Sequence, residues 1–383
     1  MAIRPVLCAA LLAGCAAADP CAGTPMGVRI VDDPAPLAAD PWQAGTPAEV
    51  GFDAAGLDAA GAYSESIGGE CLLVYRKGKL VYEKYAHGAS PTTLQKSWSI
   101  AKSVTSTLVG IAVGRGQLHC VEQPVADVVP AWRDGKHDDI RVRQLLSHTS
   151  GLEFNQYDDA VYAIASDDLT AEALRAPVAA PPDTVFGYSQ RSVQVLGAVL
   201  AGATGEEAEG YARRHLWDPL GASAGITWDH DPAGRVPMFD GLHVTCRDLL
   251  RFGLLYLDDG AWNGGRILPA EYARAATQPS QAVNRAVGYL WWLNGQTPTI
   301  VAPQEPIDGV LMPGVPAEIF SATGLGQNFV DVARSTQTVY VHMRPAPQDM
   351  PNAMQLDLPT EILRDGKQQE HRELLLRIGA AER

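Results

Sequence analysis

A serine hydroxyl is a weak nucleophile until a base takes its proton. One place in this 383-residue chain sets a base beside a serine at helical spacing. Ser99-Ile100-Ala101-Lys102 is the only Ser-x-x-Lys in the sequence. Val104, Leu108 and Ile111 follow at helical intervals, and Gly114 and Gly116 supply a stop. Ser99 is therefore expected in the first turn of a buried helix. Residues three apart share a helix face, so the Lys102 amine can reach the Ser99 hydroxyl. A lysine becomes a base when burial or a neighbouring cation lowers its pKa. The largely uncharged helix after Lys102 is an unusual place for a solvated lysine. A helix N-terminus also favours the oxyanion that develops during acyl transfer.

Three further strings carry chemistry-bearing residues. Leu145-Leu146-Ser147-His148-Thr149-Ser150-Gly151-Leu152 holds a histidine, but a polar turn closed by glycine reads as a structural device. His148 is accordingly expected to be structural. Phe186-Gly187-Tyr188-Ser189-Gln190 precedes an apolar helix. A phenol beside a lysine ionises more easily and can relay a proton, so Tyr188 is a candidate acid–base group. Ser321-Ala322-Thr323-Gly324-Leu325-Gly326-Gln327 lies between two expected strands, where glycines let a substrate approach an exposed edge with free N–H groups. Gly221-Ala222-Ser223-Ala224-Gly225 fits Gly-x-Ser-x-Gly. A nucleophile elbow needs a strand before it and a helix after, and here the expected order is reversed. The sequence has no His-Glu-x-x-His and no phosphate-binding loop;.

These residues need a frame. A helix is expected over 54–67, a β-hairpin over 71–83 and the Ser99 helix after it. A mainly helical stretch follows, with apolar or amphipathic helices at 192–203, 205–217 and 247–258. Strands return at 288–293, 319–322, 327–332 and 338–343, and a last helix covers 360–378. Strands at both ends of the chain with helices between them predict an α+β fold: one antiparallel sheet flanked by helices, with an inserted helical lobe. The groove between lobes is the expected site.

Composition narrows the function. The chain is 46% hydrophobic and 19% charged, with 30 basic and 44 acidic residues, a net charge of −14. An acidic chain without a basic tract argues against a nucleic-acid partner. Arg4, the short apolar run 6–13 and Leu12-Ala13-Gly14-Cys15 read as an export signal. The last four residues resemble a bacterial lipobox, which implies lipidation of Cys15. Ordinary secretion, cleaved after Ala18, is the rival. Residues 1–15 are thus expected as signal, 16–48 as an Ala/Pro/Asp-rich linker and 49–383 as the folded body. That body divides into an α/β lobe over 49–118 and 285–383 and a helical lobe over 119–284. The only expected membrane contact is the lipid anchor, with the protein in the periplasm or cell envelope. Outside the signal, Cys21, Cys71, Cys120 and Cys246 allow three full pairings in an oxidising compartment, and the sequence does not choose among them.

Together the motifs resemble the penicillin-recognising serine hydrolases, which include class C β-lactamases, D-alanyl-D-alanine carboxypeptidases and related esterases. The resemblance runs from about residue 48 to 345. Ser99-Ile100-Ala101-Lys102 matches the family's Ser-x-x-Lys. Tyr188-Ser189-Gln190 stands in the place of Tyr-x-Asn, and Ala322-Thr323-Gly324 in the place of Lys-Thr-Gly. Residues 146–152 and 217–221 also look like the family. Ser97 to Ser103, Gly288 to Asn294 and the Gly324–Gln327 turn look most like its 6-aminohexanoate-dimer hydrolase branch. The resemblance implies a β-lactamase-like fold. It implies Ser99 as acylated nucleophile, Lys102 and Tyr188 as general acid–base groups, and an oxyanion site made by the N–H of Ser99 with one near Gly324 or Leu325. Gln190, Ala322, Thr323, Gly324 and Leu325 would contact substrate, and Trp291 and Trp292 would line the acyl pocket, although strand alternation sends one of the two to the core. Neither metal nor cofactor is implied. Gln190 replaces an Asn, and Ala322 replaces the cation that attracts substrate carboxylates. The Gln190 amide could serve with a longer reach, and the loss of the cation at Ala322 points to a small-molecule ester or linear amide as substrate. The alternative is an acyl-binding sensor of β-lactam or peptidoglycan type, or a weakly active β-lactamase or D,D-peptidase homologue.

Overall fold

A computed structural model describes residues 21–22, 29–30, 32–37, 39–301, 305–345 and 367–383. The expected signal with Cys15, and the 360–366 part of the expected last helix, lie outside the described residues. The centre is a seven-stranded sheet. Its strands are β1 (Gln43–Ala44), β2 (Cys71–Arg76), β3 (Lys79–Tyr85), β4 (Trp292–Leu293), β5 (Phe320–Gly324), β6 (Asn328–Ala333) and β7 (Thr338–Met343), in the order β1-β3-β2-β7-β6-β5-β4. Every pairing is antiparallel except β1 with β3. The two ends of the chain meet at β2 and β7, where Val74 faces Tyr340 and Leu73 faces Val341.

Residues of β2, β6 and β7 are buried on both faces, which explains why these strands read as continuous apolar runs;. Alternation sorts them. Leu72, Val74, Phe329 and Tyr340 pack with Leu57, Leu374 and Ile378 of two helices, α1 (Ala54–Ser66) and, at the C-terminus, α5 (Lys367–Ala380). Leu73, Val330, Val339 and Val341 face the other way, onto α2 (Ile100–Gly114) and α4 (Cys246–Leu257). Between these two helices in sequence lies α3 (Gln190–Thr204), whose Val193, Leu196 and Leu200 join the same apolar cluster. One core thus runs from the sheet through α2 into the helical stretch.

The fold departs from the sequence reading in three places. Residues 29–30, 32–37 and 39–48, expected as linker, pack on the body. The Ile30 N–H donates to Gly114 O at 2.8 Å, and Asp33 pairs with Arg115 at 3.0 Å and with His215 at 2.7 Å. Arg251 lies over the Trp42 ring at 5.2 Å. The Ala/Pro composition hid the few residues that make these ties. The expected strand 288–293 is a strand only at β4. Before it the Gly288 N–H donates to Trp291 O at 2.9 Å, and Leu290 has φ of +60°. The Leu290 main chain is held from outside: its N–H donates to Leu146 O at 3.0 Å, and its carbonyl accepts from Ser103 Oγ at 2.6 Å. Finally, the expected helix 205–217 is interrupted, running as Ala208–Ala212 and then a π-turn at Arg213–Trp217.

Two disulfides are present, Cys21–Cys120 and Cys71–Cys246. The second joins β2 to the first residue of α4 across 175 residues of sequence, which ties the sheet to the helix on the Lys102 side. Cross-links of this loop length stabilise mainly by restricting the unfolded chain. Replacing both Cys71 and Cys246 with Ala is expected to lower unfolding stability by about 2–4 kcal/mol. A lower urea midpoint in the variant, with a slope no smaller than that of the wild type because the unfolded chain is less restricted, checks this.

Candidate active site

Ser99 is the N-cap of α2. The chain reaches it through Trp98 in the left-handed region, φ +53°, which turns Ser99 out of the preceding strand direction. Every residue of α2 from Ile100 to Gly114 is buried. Its hydroxyl groups are matched to neighbours: Ser103 to Leu290 O, Thr105 to Met238 O at 2.6 Å and Thr107 to the Tyr256 hydroxyl at 2.8 Å. Lys102 is the only charged residue of this helix and is 2% exposed. Its Nζ lies 2.8 Å from Ser99 Oγ and donates to Phe239 O at 3.1 Å. Burial pushes the amine down to a pKa of about 7, against the pull of the Asp240 and Asp159 carboxylates;. Neutral, it can hold one N–H on Phe239 O and offer its lone pair to the Ser99 hydroxyl.

Tyr188 closes the group from α3's side. Lys102 Nζ sits 4.9 Å from the centre of its ring, and the Trp292 ring packs on it at 5.6 Å. The sequence reading expected the lysine to ease ionisation of this phenol. The structure shows the reverse. Burial raises Tyr188 to about 12, and hydrogen bonds with Ser99 and Trp292 offset only part of that. Tyr188 therefore keeps its proton at neutral pH. His148, expected to be structural, lines the same narrow pocket as Ser99, Lys102, Tyr188 and Thr323, with its ring 4.8 Å from that of Tyr188.

The remaining candidates divide. Thr323 faces the pocket. Its neighbour Ala322 is fully buried in the core cluster on the α2 side and does not line the pocket. Gly324 ends β5 against the segment leading into Ser99. A methyl group built there would overlap the Ser97 carbonyl oxygen and press on Trp98, so only glycine lets the strand edge come this close;. Leu325 begins the turn beyond. Trp291 is buried, stacked on Phe252 at 5.7 Å and tilted against Tyr256 at 4.5 Å, and Trp292 is half-buried. Both border the pocket, Trp291 from the core side. Gln190 is the first residue of α3, its amide oxygen buried with no hydrogen-bond partner among the described residues. Ser223 lies after the short helix Asp218–Leu220 and before the strand Thr227–Trp228, the reverse of an elbow.

Asp159 gave no sequence signal. It is buried, accepts the Gln190 N–H at 2.7 Å and the Arg191 N–H at 3.3 Å, and so caps the helix that follows Tyr188;. Asp at an exposed-looking position of an amphipathic helix could have been noticed only through this distant partner. A more open cavity of about 480 Å³ beside the helix Gln156–Ala165 is lined by Glu153, Asp158, Tyr162 and Arg191, and it holds no serine–lysine pair. Among the described residues, no group of three His, Cys, Asp or Glu side chains is placed to hold a metal.

Comparison with known proteins agrees with this architecture. The beta-lactamase family model matches residues 54–358, and the chain belongs to that family. A 6-aminohexanoate-dimer hydrolase of Paenarthrobacter ureafaciens is 27% identical over 214 residues, 52% of this chain and 54% of that protein. Esterase EstB of Burkholderia gladioli is 27% identical over 241 residues, 55% of this chain and 60% of that protein. The chain thus spans little more than half the length of these relatives. In overall fold it is similar to a family VIII carboxylesterase, with a TM-score of 0.61 at 16% identity, covering 86% of this chain and 99% of the other.

The Lys102 environment makes a spectroscopic prediction. With lysine side chains labelled with ¹⁵N, one amine is expected to titrate near pH 7, and Lys102→Met is expected to remove that transition. Titration of every lysine amine above 9 would show that Lys102 is solvated.

Proposed function

We propose that this protein is an exported serine hydrolase that forms an acyl-enzyme on Ser99 and acts on esters or small linear amides. One observation carries the reading: the amine of Lys102, held near neutrality by burial, is 2.8 Å from the Ser99 hydroxyl. Neutral Lys102 takes the Ser99 proton as Oγ attacks the substrate carbonyl carbon. The oxyanion that forms is held by the Ser99 N–H at the head of α2 and by an N–H at the Gly324–Leu325 edge of β5. Tyr188, protonated and in hydrogen-bond contact with Ser99, passes a proton to the leaving group and recovers it from Lys102;. The leaving alcohol or amine departs with that proton and leaves an ester on Ser99. Water, deprotonated by the same pair, then releases the acid and restores the free hydroxyl.

The substrate class follows from what stands at position 322. Ala322 brings no charge to the strand edge, so a substrate carboxylate has no lysine to meet there. The name of one relative, an esterase, fits that direction. Export is supported by the two disulfides, which persist in oxidising compartments, and by the lipobox-like residues ending at Cys15;. Incorporation of labelled palmitate that is lost in Cys15→Ser tests the lipid anchor.

Pre-steady-state hydrolysis of p-nitrophenyl butyrate tests the chemistry. A burst followed by steady turnover is expected, with both absent in Ser99→Ala. A burst without turnover would mark an acyl-binding sensor instead, and equal rates in the two proteins would remove Ser99 from the reaction. Lys102→Met and Tyr188→Phe are each expected to lose about 10²–10⁴-fold in kcat/KM, the range for a positioned acid–base group. Because the base works unprotonated, kcat/KM is expected to rise as pH passes through about 7 and then level, since Tyr188 holds its proton to about 12. A profile flat from pH 5 to 9 would exclude Lys102 as the base.

A further inference from the structure

A base beside a nucleophile needs a third group that holds its lone pair in the right direction. For Lys102 that group is a main-chain carbonyl: Phe239 O accepts from Nζ at 3.1 Å, while Ser99 Oγ lies at 2.8 Å. No substitution at 239 removes a carbonyl. Residues 236–240 belong to neither helix nor strand, so no ladder of main-chain bonds aims it either. Its direction is set by what holds the segment.

Three successive peptide groups, each planar, are held here;. Gln194 of α3, 1% exposed, takes the first: its Oε1 accepts the Met238 N–H at 2.9 Å. Its Nε2 donates to Val236 O at 3.0 Å and to Thr170 Oγ1 at 3.1 Å, so the amide is oriented at both ends;. Thr105 of α2, fully buried, takes the second, donating to Met238 O at 2.6 Å. The third carries Phe239 O, and its N–H, that of Asp240, closes a turn on Pro237 O at 3.2 Å;. Gly197, one turn past Gln194, permits the approach, since a methyl group there would overlap Met238 Cγ. Thr105 stands one turn past Lys102, and Gln194 is on the helix that follows Tyr188. The carbonyl is thus fixed in the frame of the helices that place the reacting groups.

We propose that Gln194 and Thr105 are positioning residues for the acylation step: together they hold the 236–240 turn so that Phe239 O takes one N–H of Lys102 and leaves its lone pair to Ser99. The inference rests on the reading of Ser99 as nucleophile. No proton passes through either side chain. They act through geometry alone, where a misplacement of about 1 Å can cost about 10²-fold in rate.

The burst rate constant with p-nitrophenyl butyrate tests this, because it reports acylation at each competent Ser99 and does not depend on the folded fraction. Gln194→Met and Thr105→Val are each expected to lower it by about ten-fold or more. Thr105→Ser, which keeps the hydroxyl, is expected to stay near the wild type. The pH profile is a second readout. The titratable groups around Lys102 are Asp159, Tyr188, His148 and Asp240, the last paired with Lys96 at 3.5 Å. Phe239 O and Asp240, both on the turn, favour the charged amine, so releasing the turn is expected to move the half-maximal pH of kcat/KM below that of the wild type. If Gln194→Met does not fold, the two Thr105 variants are read alone. A burst rate constant and half-maximal pH both unchanged in the folded variants would overturn the assignment, and so would equal losses in Thr105→Val and Thr105→Ser. A wild type no faster than Ser99→Ala would overturn the Ser99 reading first, and this role with it.

Discussion

The site depends on keeping one lysine out of water. A protonated amine buried to 2% is unfavourable, and the shift of Lys102 to about 7 corresponds to a destabilisation on the order of 5 kcal/mol when the group is charged;. The sign fixes when this is felt. Below pH 7 the amine is charged in both folded and unfolded states, and the full penalty is present. Between about 7 and the ordinary lysine value the folded state has lost a proton that the unfolded state keeps, so stability rises with pH across that window. The continuous core that runs from the sheet through α2 into the helical stretch is what bears this strain. Each hydroxyl on α2 is matched to a neighbour, which leaves Lys102 with Ser99 and Phe239 O as its hydrogen-bond partners.

A second constraint is the turn at residues 146–149. Leu146 O receives Leu290 N–H, and His148 O receives Gly187 N–H. One short segment therefore sets both the turn that presents Trp292 and the loop that presents Tyr188. The turn is itself braced: Thr149 Oγ1 donates to Asp183, which also pairs with Arg143 and accepts from Gln144. A change anywhere in this brace would move Tyr188 and Trp292 together relative to Ser99.

The sequence made the frame legible where periodicity was strong. The hairpin, α1, α2, α3, α4 and the three long C-terminal strands all fall within a few residues of their expected places. Ser99, Lys102 and Tyr188 were legible because a helical spacing and two downstream strings single them out. What escaped notice depends on contacts distant in sequence. Asp159 acts through α3, thirty residues away, and the segment before residue 48 is held by a few charged and aromatic residues in an otherwise linker-like composition. The direction of the Tyr188 shift was misjudged because burial, which outweighs the hydrogen bonds with Ser99 and Trp292, is invisible in sequence. The strand at 288–293 was overcalled because its backbone groups are claimed by Ser103 and Leu146 rather than by a neighbouring strand.

Alternation along β5 links the fold to substrate choice. Successive side chains of a strand point to opposite faces, so Thr323 at the pocket commits Ala322 to the core;. That neighbour packs where the sheet meets α2, at zero exposure, and a lysine placed there would need either a large shift of the strand or a second uncompensated buried amine close to Lys102;. The nearest cation along the chain into Ser99, Lys96, is already held by Asp229 at 3.0 Å and Asp240 at 3.5 Å. A carboxylate brought to the β5 edge would therefore lose hydration without gaining an unpaired cation from either position. The packing that buries Lys102 also keeps charge away from position 322, and this is the physical ground on which the proposal of neutral esters and amides rests.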